Sequence, residues 1–225
     1  MLRALIKSMR IRQWTKNAFV LAAVVFDRQL LNPQAFAKSI GGFFIFCLLS
    51  SSVYLINDIL DADADRQHPQ KRNRPIASGK LPVSVAIGAA ILFILITIPA
   101  AFLLAPNFGW IAVAYLVINL AYSNWLKHIA LLDVMIIAAG FVLRVAAGVM
   151  IITVERFSPW LYVVTTLGAL YIGFGKRRSE LALLNQEANQ HRRVLDGYTI
   201  QLLDQLILVV SSSTIMAYSL YTFSA

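Results

Sequence analysis

The sequence predicts an all-α membrane protein, a polytopic bundle of transmembrane helices. Of the 225 residues, 59% are hydrophobic and only 14% are charged, whereas a soluble domain has about 25% charged residues. Apolar runs of roughly 20 residues recur along the chain, which is the length that an α-helix needs to cross the hydrocarbon core. No alternation of apolar and polar residues typical of β-strands interrupts them. The chain has too little charge to cover a water-facing surface.

Seven apolar spans follow a basic N-terminal segment. They are predicted at residues 17–32, 37–57, 81–105, 108–126, 130–151, 159–175 and 200–222. The first span is short and contains Asp27 and Arg28. The links between spans 2 and 3 and between spans 6 and 7 are long and charged, so we expect polar functional groups there.

Lysine and arginine are divided unevenly between the two predicted sides of the membrane. Sixteen of the 20 fall in the N-terminal segment, in the two long links and at Lys127. The other four are Arg28, Lys38, Arg144 and Arg156. By the positive-inside rule, the N-terminus and both long links lie in the cytoplasm of a multi-pass protein of the cell (plasma) membrane. The net charge of +9 is therefore assigned to cytoplasmic loops and not to nucleic-acid binding.

Four aspartates lie at the end of span 2 and just after it. If the helix continues through this segment, Asp58, Asp61 and Asp65 share an arc of about 60°, with Asn57 beside them and Asp63 pointing away. Carboxylates on one face repel each other and need a strong cation, and an all-oxygen set suits Mg²⁺, with Mn²⁺ as a substitute. The alternative is a solvated helix end whose acids neutralise the neighbouring basic residues.

A basic loop follows these acids. His68 and Pro69 are expected to end the helix, because proline disfavours α conformation in the residue before it and has no N–H to donate. Lys71, Arg72 and Arg74 then lie close to the carboxylates. Acids, a divalent ion and cations together can hold a diphosphate and stabilise its departure. The segment therefore predicts a magnesium-diphosphate site at the cytoplasmic membrane surface.

The order Asn57-Asp58-x-x-Asp61-x-x-x-Asp65, followed by RPIASG, resembles the first aspartate-rich motif of the UbiA-type intramembrane prenyltransferase superfamily. Members of that superfamily are helical, have nine spans and open their active site to the cytoplasm. The resemblance implies catalytic and metal-binding roles for the three aspartates. It also implies one transmembrane domain over residues 1–225 that lacks about the last two helices of the family.

Two further elements carry charge at the membrane. Tyr122 and Lys127, in YSNWLKHIALLD, resemble the superfamily's tyrosine–lysine element: Lys127 would donate to a phosphate and Tyr122 would orient a ligand. The alternative is an interfacial tyrosine and a positive-inside lysine.

Asp133 and Arg144 lie three helical turns apart on one face of span 5. Asp133 is expected to face the site, whereas Arg144 is either a buried structural partner or a group that contacts phosphate or lipid.

Most members of the superfamily carry a second acidic motif where this chain has Lys176, Arg177, Arg178 and Glu180. Cations there can bind phosphate oxygens directly, arginine through its bidentate fork. The alternative is a plain positive-inside cluster. This replacement, with RIRQWTKN (which contains Lys16), HPQKRNRPIASG, LLDVMIIAAGFVLRVAAG and RRVLDGYTIQLLDQL, resembles the decaprenyl-phosphate phosphoribosyltransferases. Lys16, Asn57, Lys71, Arg74 and Glu180 are also predicted to bind substrate.

What the resemblance implies is transfer of a 5-phosphoribosyl group from phosphoribosyl diphosphate to a polyprenyl phosphate, with release of diphosphate. Lipid length and oligomeric state are left open. One alternative is a UbiA-type enzyme that moves a prenyl group from prenyl diphosphate to an aromatic acceptor, against which the missing second acidic motif argues. The other is a transporter or channel, which predicts charges spread through several spans, whereas here they cluster at one membrane face.

Overall fold

A computed structural model describes residues 1–154, 159–184 and 193–224 of the chain. Helices account for nearly all of these residues, and no strand occurs among them. The α-helices are α1 (Leu2–Ser8), α2 (Ala22–Phe26), α3 (Pro33–Leu60), α4 (Ala62–Gln67), α5 (Val83–Leu104), α6 (Pro106–Asn124), α7 (Leu132–Ile151), α8 (Pro159–Leu184) and α9 (Ile200–Ser224). Segments of 3-10 helix cover Ile11–Leu21, Lys71–Asn73, Leu126–His128 and Arg193–Gly197. The predicted all-α class is confirmed.

Four of these helices, α3, α5, α7 and α9, are long and apolar enough to cross a membrane. They correspond to predicted spans 2, 3, 5 and 7. Helices α6 and α8 lie at predicted spans 4 and 6 but are less apolar, so a count of seven crossings stays a prediction. Of the apolar stretches in α5 and α9, only 17% and 11% are buried within the described chain. Both helices therefore present broad apolar surfaces that suit lipid.

The predicted first span, 17–32, is not a single α-helix. The chain forms a 3-10 helix over Ile11–Leu21, continues as α2 and then turns, with Arg28 in the left-handed region at φ 57°. A 3-10 helix rises about 2.0 Å per residue and an α-helix about 1.5 Å. The combined segment is therefore about 30 Å long, close to the hydrocarbon thickness, although it begins before residue 17.

Polar side chains attach this 3-10 segment to α3. Trp14 Nε1 donates to Ser51 Oγ at 3.0 Å, and the Asn17 side-chain amide donates to Ser50 Oγ at 3.1 Å. Asn17, Ser50 and Ser51 are buried. Buried polar groups need hydrogen-bond partners, so these contacts explain why a long 3-10 helix, which is uncommon, is retained here.

Helix α3 is the longest in the first of two compact units. This unit comprises Met1–Asn124 and Leu143–Arg156. Its core includes Phe46 on α3, whose ring centroid lies 5.6 Å from that of Phe108 and 5.2 Å from that of Tyr115, both on α6. The asparagine at position 32 caps α3 through hydrogen bonds to the first-turn backbone, which sets where the helix begins. The helix then carries the acidic motif at its other end.

The second compact unit comprises Trp125–Val142 and Phe157–Ala225. It contains the first half of α7, together with α8 and α9. Val134 on α7 and Leu203 on α9 belong to its buried core. A Cβ atom added at Gly173 of α8 would lie 2.5 Å from Val134 Cγ1, so the glycine permits close packing of α7 and α8.

Candidate active site

The predicted metal ligands lie at the junction of α3 and α4. Asp58, in the last turn of α3, is 2% exposed, and Asp65, in α4, is 3% exposed. Asp61 ends α3 and precedes α4 with φ −89° and ψ 2°, and its carboxylate accepts a hydrogen bond from Asn57 Nδ2 at 3.1 Å. The side chain of Asp63 is 91% exposed. Burial therefore separates Asp58 and Asp65 from Asp63.

The helix that we predicted to be continuous is interrupted at Asp61, but its phase is kept. Asp61 N donates to Asn57 O at 2.9 Å, and Asp65 N donates to Asp61 O at 2.8 Å. These are helical i to i−4 bonds that cross the junction. Asp58 and Asp65 consequently face the same loop, and Asp63 points away from it as the helical wheel predicts.

Two arginines bind the buried carboxylates. Arg74 Nη1 lies 2.7 Å from Asp65 Oδ2 and 3.1 Å from Asp58 Oδ1, so one guanidinium joins both aspartates. Arg10 Nη2 donates to Asp58 Oδ1 at 2.5 Å. The Arg10 guanidinium also lies 4.9 Å from the ring centroid of Tyr54, one turn before Asp58 on α3, which is a cation–π distance. The carboxylates are thus stable in the buried site because each has a cationic partner.

A pocket of about 260 Å³ opens beside these ion pairs. Its lining residues are Lys7, Arg10, Asp58, Gln70, Asn73, Arg74 and Pro75. Three of the seven are cations and one is a carboxylate, and two are amides that can donate hydrogen bonds. Such a lining suits an anionic group with several oxygen acceptors, of which a phosphate or diphosphate is the typical case.

The carboxylates are not gathered around an ion-sized space in this conformation. Across the described ranges, no three His, Cys, Asp or Glu side chains form a group that could hold a metal ion. The donor chemistry nevertheless fits a hard divalent cation, because Asp58, Asp61 and Asp65 supply only oxygen ligands. Arg74 shows in addition that Asp58 and Asp65 are close enough to share one cationic group.

The other predicted substrate-binding residues are exposed or half-buried. Lys71, in the 3-10 turn, and Lys16, in the N-terminal 3-10 helix, are exposed, and neither lines the pocket. Tyr122, in the last turn of α6, is half-buried in the first unit. Lys127, in the 3-10 turn after α6, is half-buried and belongs to the second unit. The roles predicted for these four residues stay predictions.

Arg177, which the sequence predicts to bind phosphate, is buried in the second unit. Its side chain is 2% exposed, and its Nε lies 3.2 Å from Asp133 Oδ2, an ion pair without hydrogen-bond geometry. Its Nη1 donates to Glu180 Oε2 at 2.5 Å. Asp133 is fully buried, and the two acids surround the guanidinium. In this conformation Arg177 is a structural cation rather than a surface group that meets substrate.

Tyr198, which the sequence did not single out, completes this network. Its hydroxyl donates to Asp133 Oδ1 at 2.5 Å and accepts from Leu131 N at 2.7 Å. Leu131 has φ 69°, a conformation that is costly for a leucine, and the bond to Tyr198 holds it. Burial and then the bond to Asp133 raise the pKa of Tyr198 well above its ordinary value, so the hydroxyl stays a donor throughout the physiological range.

The remaining cations of the α8 cluster are exposed. Arg178 pairs with Asp204 of α9 through Nε and, at 3.3 Å, through Nη2. Lys176 Nζ lies 3.9 Å from Glu180 Oε1, and its side chain is 66% exposed. Lys176 is therefore the member of the cluster with the most accessible charge.

Arg144 is a buried structural partner in the first unit. Its Nε donates to Asn17 Oδ1 and its Nη2 to Tyr115 OH, both at 2.8 Å. Arg144 is 6% exposed. Of the two predicted roles, the structure supports the first, because these bonds join α7 to α6 and to the N-terminal 3-10 helix.

Sequence reasoning missed Lys7 and Arg10 as site residues. Both were counted only among positive-inside charges, and nothing in their spacing links them to an aspartate about 50 positions later. One signal was present: RIRQWTKN includes Arg10 and already resembled a family motif. Lys7 carried no such signal.

Comparison with known proteins identifies the protein family to which this fold and this acidic site belong. The chain belongs to the UbiA prenyltransferase family, whose model matches residues 18–175. It is 37% identical over 98% of its length to the decaprenyl-phosphate phosphoribosyltransferase of Mycolicibacterium smegmatis, 70% of which it covers. It is 34% identical over 97% of its length to the enzyme of that name from Corynebacterium glutamicum, 67% of which it covers. The predicted resemblance to these transferases is confirmed.

The structure also matches solved members of the fold. It superposes on a UbiA homolog from Archaeoglobus fulgidus bound to DMAPP and Mg²⁺ with a TM-score of 0.78 and 18% identity, covering 96% of this chain and 77% of the other. A digeranylgeranylglyceryl phosphate synthase gives a TM-score of 0.68 at 16% identity, with 98% and 78% covered. These matches confirm the UbiA fold, and the four long apolar helices together with the family indicate a membrane protein.

Proposed function

We propose that this protein transfers the 5-phosphoribosyl group of phosphoribosyl diphosphate to a polyprenyl phosphate such as decaprenyl phosphate. The observation that carries the proposal is the pocket in which Lys7, Arg10 and Arg74 lie beside the buried Asp58. It suits a diphosphate, which is the leaving group of this reaction. The names of the relatives support the polyprenyl phosphate acceptor.

In the proposed reaction, an oxygen of the lipid phosphate attacks the anomeric carbon of the ribose, and the bond from that carbon to the diphosphate oxygen breaks. The attacking oxygen is already anionic, so no strong general base is needed. Arg10 and Arg74 bind phosphate oxygens of the departing diphosphate, where charge accumulates in the transition state. Charge-assisted hydrogen bonds of this kind are about twice as strong as neutral ones.

Asp58, Asp61 and Asp65 are the residues that would hold Mg²⁺, with Mn²⁺ as a substitute. Such an ion, when bound, supplies positive charge against the leaving diphosphate. The all-oxygen donor set supports this assignment, and the related fold from Archaeoglobus fulgidus was solved with Mg²⁺. Arg74 lies within ion-pair distance of both Asp58 and Asp65.

We assign the remaining predicted residues as follows. Lys127 and the exposed Lys176 contact the 5-phosphate or the lipid phosphate, and Tyr122 orients a substrate. The exposed Lys16 and Lys71 increase the local concentration of anionic substrates. Arg177, which is buried between Asp133 and Glu180, positions its helix instead of binding phosphate.

The same distribution of charge supports an active site at the cytoplasmic face of the plasma membrane. The N-terminal residues, the loop after α4 and the end of α8 carry most of the lysine and arginine. The positive-inside rule places such segments in the cytoplasm, where a water-soluble, phosphorylated sugar donor can reach them. The apolar surfaces between helices suit the isoprenoid tail.

The proposal is tested by transfer of radiolabel from ribose-labelled phosphoribosyl diphosphate into the organic phase. Label is expected there only when a polyprenyl phosphate and a divalent cation are both supplied. Dephosphorylated polyprenol is the matched control acceptor and should receive none. Transfer of a prenyl group from prenyl diphosphate to an aromatic acid, with no transfer from phosphoribosyl diphosphate, would establish the alternative enzyme.

A further inference from the structure

We infer that Arg74 is an exchangeable counter-ion, which neutralises Asp58 and Asp65 in the absence of substrate and turns to phosphate oxygens when a divalent cation replaces it. The inference rests on the proposed function only in assigning a diphosphate to this pocket. It holds whichever group is then transferred. Its consequence is that the divalent cation and the diphosphate bind cooperatively.

The balance of charge in the pocket favours this exchange. Asp58 and Asp65 face Arg10 and Arg74, so two carboxylates meet two guanidinium groups. A divalent cation that arrives alone adds two positive charges beside Lys7, which already lines the pocket. A diphosphate that arrives alone finds guanidinium groups committed to carboxylates. Binding of the cation alone or of the diphosphate alone is therefore electrostatically unfavourable. Binding of both together restores the balance of positive and negative charge.

The burial of the two aspartates also favours the exchange. Asp58 and Asp65 are 2% and 3% exposed, and a carboxylate withdrawn from water to this extent is strongly destabilised without a cationic partner. Asp58 keeps Arg10 when Arg74 turns away, but Asp65 needs another cation in the place of Arg74. This makes the exchange obligatory rather than a side-chain rearrangement that occurs independently of the metal.

The two arginines are free to move. The side chains of Arg10 and Arg74 are 28% and 27% exposed, and both line the pocket. Arg74 follows the Lys71–Asn73 turn in extended conformation, with ψ 142°, and its guanidinium sits at the end of a long side chain. It can reach a ligand in the pocket by rotating about its own side-chain bonds, while α3 and α4 stay in place.

The experiment measures Mn²⁺ binding to the purified full chain in detergent, from the electron paramagnetic resonance signal of free Mn²⁺. Titrations are run with and without inorganic diphosphate and corrected with protein-free mixtures of Mn²⁺ and diphosphate. For the wild type, we expect diphosphate to increase Mn²⁺ affinity by about 5- to 150-fold, the usual range of coupling between two sites. Equal affinity with and without diphosphate would overturn the inference.

Arg74→Gln gives the sharper test, because it should increase the affinity for Mn²⁺ alone and decrease the further gain that diphosphate provides. Without Arg74, Asp65 loses its cationic partner and Asp58 keeps only Arg10, so Mn²⁺ alone should bind more tightly than to the wild type, and diphosphate should add less. If Arg74 only supported the structure of the site, its loss would weaken Mn²⁺ binding both with and without diphosphate. Arg10→Gln, which also removes a partner of Asp58, should shift Mn²⁺ affinity in the same direction and serves as a second variant.

Arg12→Gln is the matched control. It removes the same charge two residues after Arg10, at an exposed position that does not line the pocket, and should bind Mn²⁺ like the wild type. Unchanged or weaker Mn²⁺ binding by both Arg74→Gln and Arg10→Gln would overturn the inference. If diphosphate increases the Mn²⁺ affinity of the wild type but no phosphoribosyl transfer occurs, the proposed function is wrong and the inference about Arg74 is retained.

Discussion

Asp58 and Asp65 are carboxylates held out of water, and their stability depends on the cations beside them. Asp63, two residues from Asp65, has the same chemistry but is 91% exposed and pairs with Arg66 at 2.5 Å. Exposed ion pairs contribute about 0–1 kcal/mol, whereas loss of one partner of a buried pair is far more costly. We therefore expect these neighbouring aspartates of one helix to differ in their roles.

The two aspartates of α4 provide a direct test of this difference. Asp65→Asn should lower kcat/KM for phosphoribosyl transfer by about 10- to 100-fold, because a lost hydrogen bond to a charged group costs about 1.5–3 kcal/mol. It should also raise the Mg²⁺ concentration needed for half-maximal rate. Asp63→Asn should leave both within about twofold of the wild type. Equal losses in the two variants would contradict the assignment.

Arg177 and Arg178 are adjacent in sequence but differ in surroundings. Arg177→Ala leaves Asp133 without its cationic partner, and breaking a buried pair in this way costs about 3–5 kcal/mol. Arg178→Ala removes an exposed pair with Asp204 and should change stability little, because solvent screens such a pair. Thermal unfolding in detergent should show a large decrease in Tm for Arg177→Ala only. A wild-type Tm combined with a raised KM for the sugar donor would instead indicate direct phosphate binding by Arg177.

At the scale of elements, the N-terminal 3-10 helix is the part of the fold that brings Arg10 to the acidic motif. It packs closely against the second half of α7, where an added Cβ at Gly148 would lie 2.1 Å from Val20 O. Backbone atoms cannot move aside as the end of a flexible side chain can. Glycine is therefore required at this crossing for a packing reason.

Gly148→Ala should displace the 3-10 helix and with it Arg10. We expect a loss of about 1–3 kcal/mol in stability, typical of overpacking, together with a raised KM for the sugar donor. Gly88→Ala, in α5, is the matched control, because nothing lies within 4 Å of its added Cβ. That variant should be neutral or slightly more stable. If Gly148→Ala has the wild-type KM, the position of Arg10 does not depend on this crossing.

At the scale of the whole molecule, orientation in the membrane is open to a direct measurement. In a Cys47→Ser background, a cysteine at Asn73 should resist an impermeant maleimide added outside intact cells and react after permeabilisation. Asn107, in the first turn of α6, is exposed and should react from outside when replaced by cysteine. The reverse pattern would invert the predicted orientation. Asn189, a second cytoplasmic position by prediction, lies outside the described residues.

Properties that depend on local pattern could be predicted from the sequence. The apolar runs predicted the positions of α3, α5, α7 and α9, because the length needed to cross a bilayer is set by the rise per residue. The spacing of the aspartates predicted that Asp58 and Asp65 share a face and that Asp63 does not, since helical rotation depends only on position. The same motifs identified the family.

The pairing of each cation with its acid is visible only in the tertiary structure. Arg10 and Asp58 are 48 positions apart, and in sequence Arg10 resembles every other positive-inside arginine. Likewise, Arg177 and Arg178 are adjacent and chemically identical, yet only one is buried against Asp133. Ion pairs of this kind depend on burial and distance after folding, and neither quantity has a local period. The extended N-terminal 3-10 helix was missed for the same reason: its hydrogen-bond partners Ser50 and Ser51 belong to another helix.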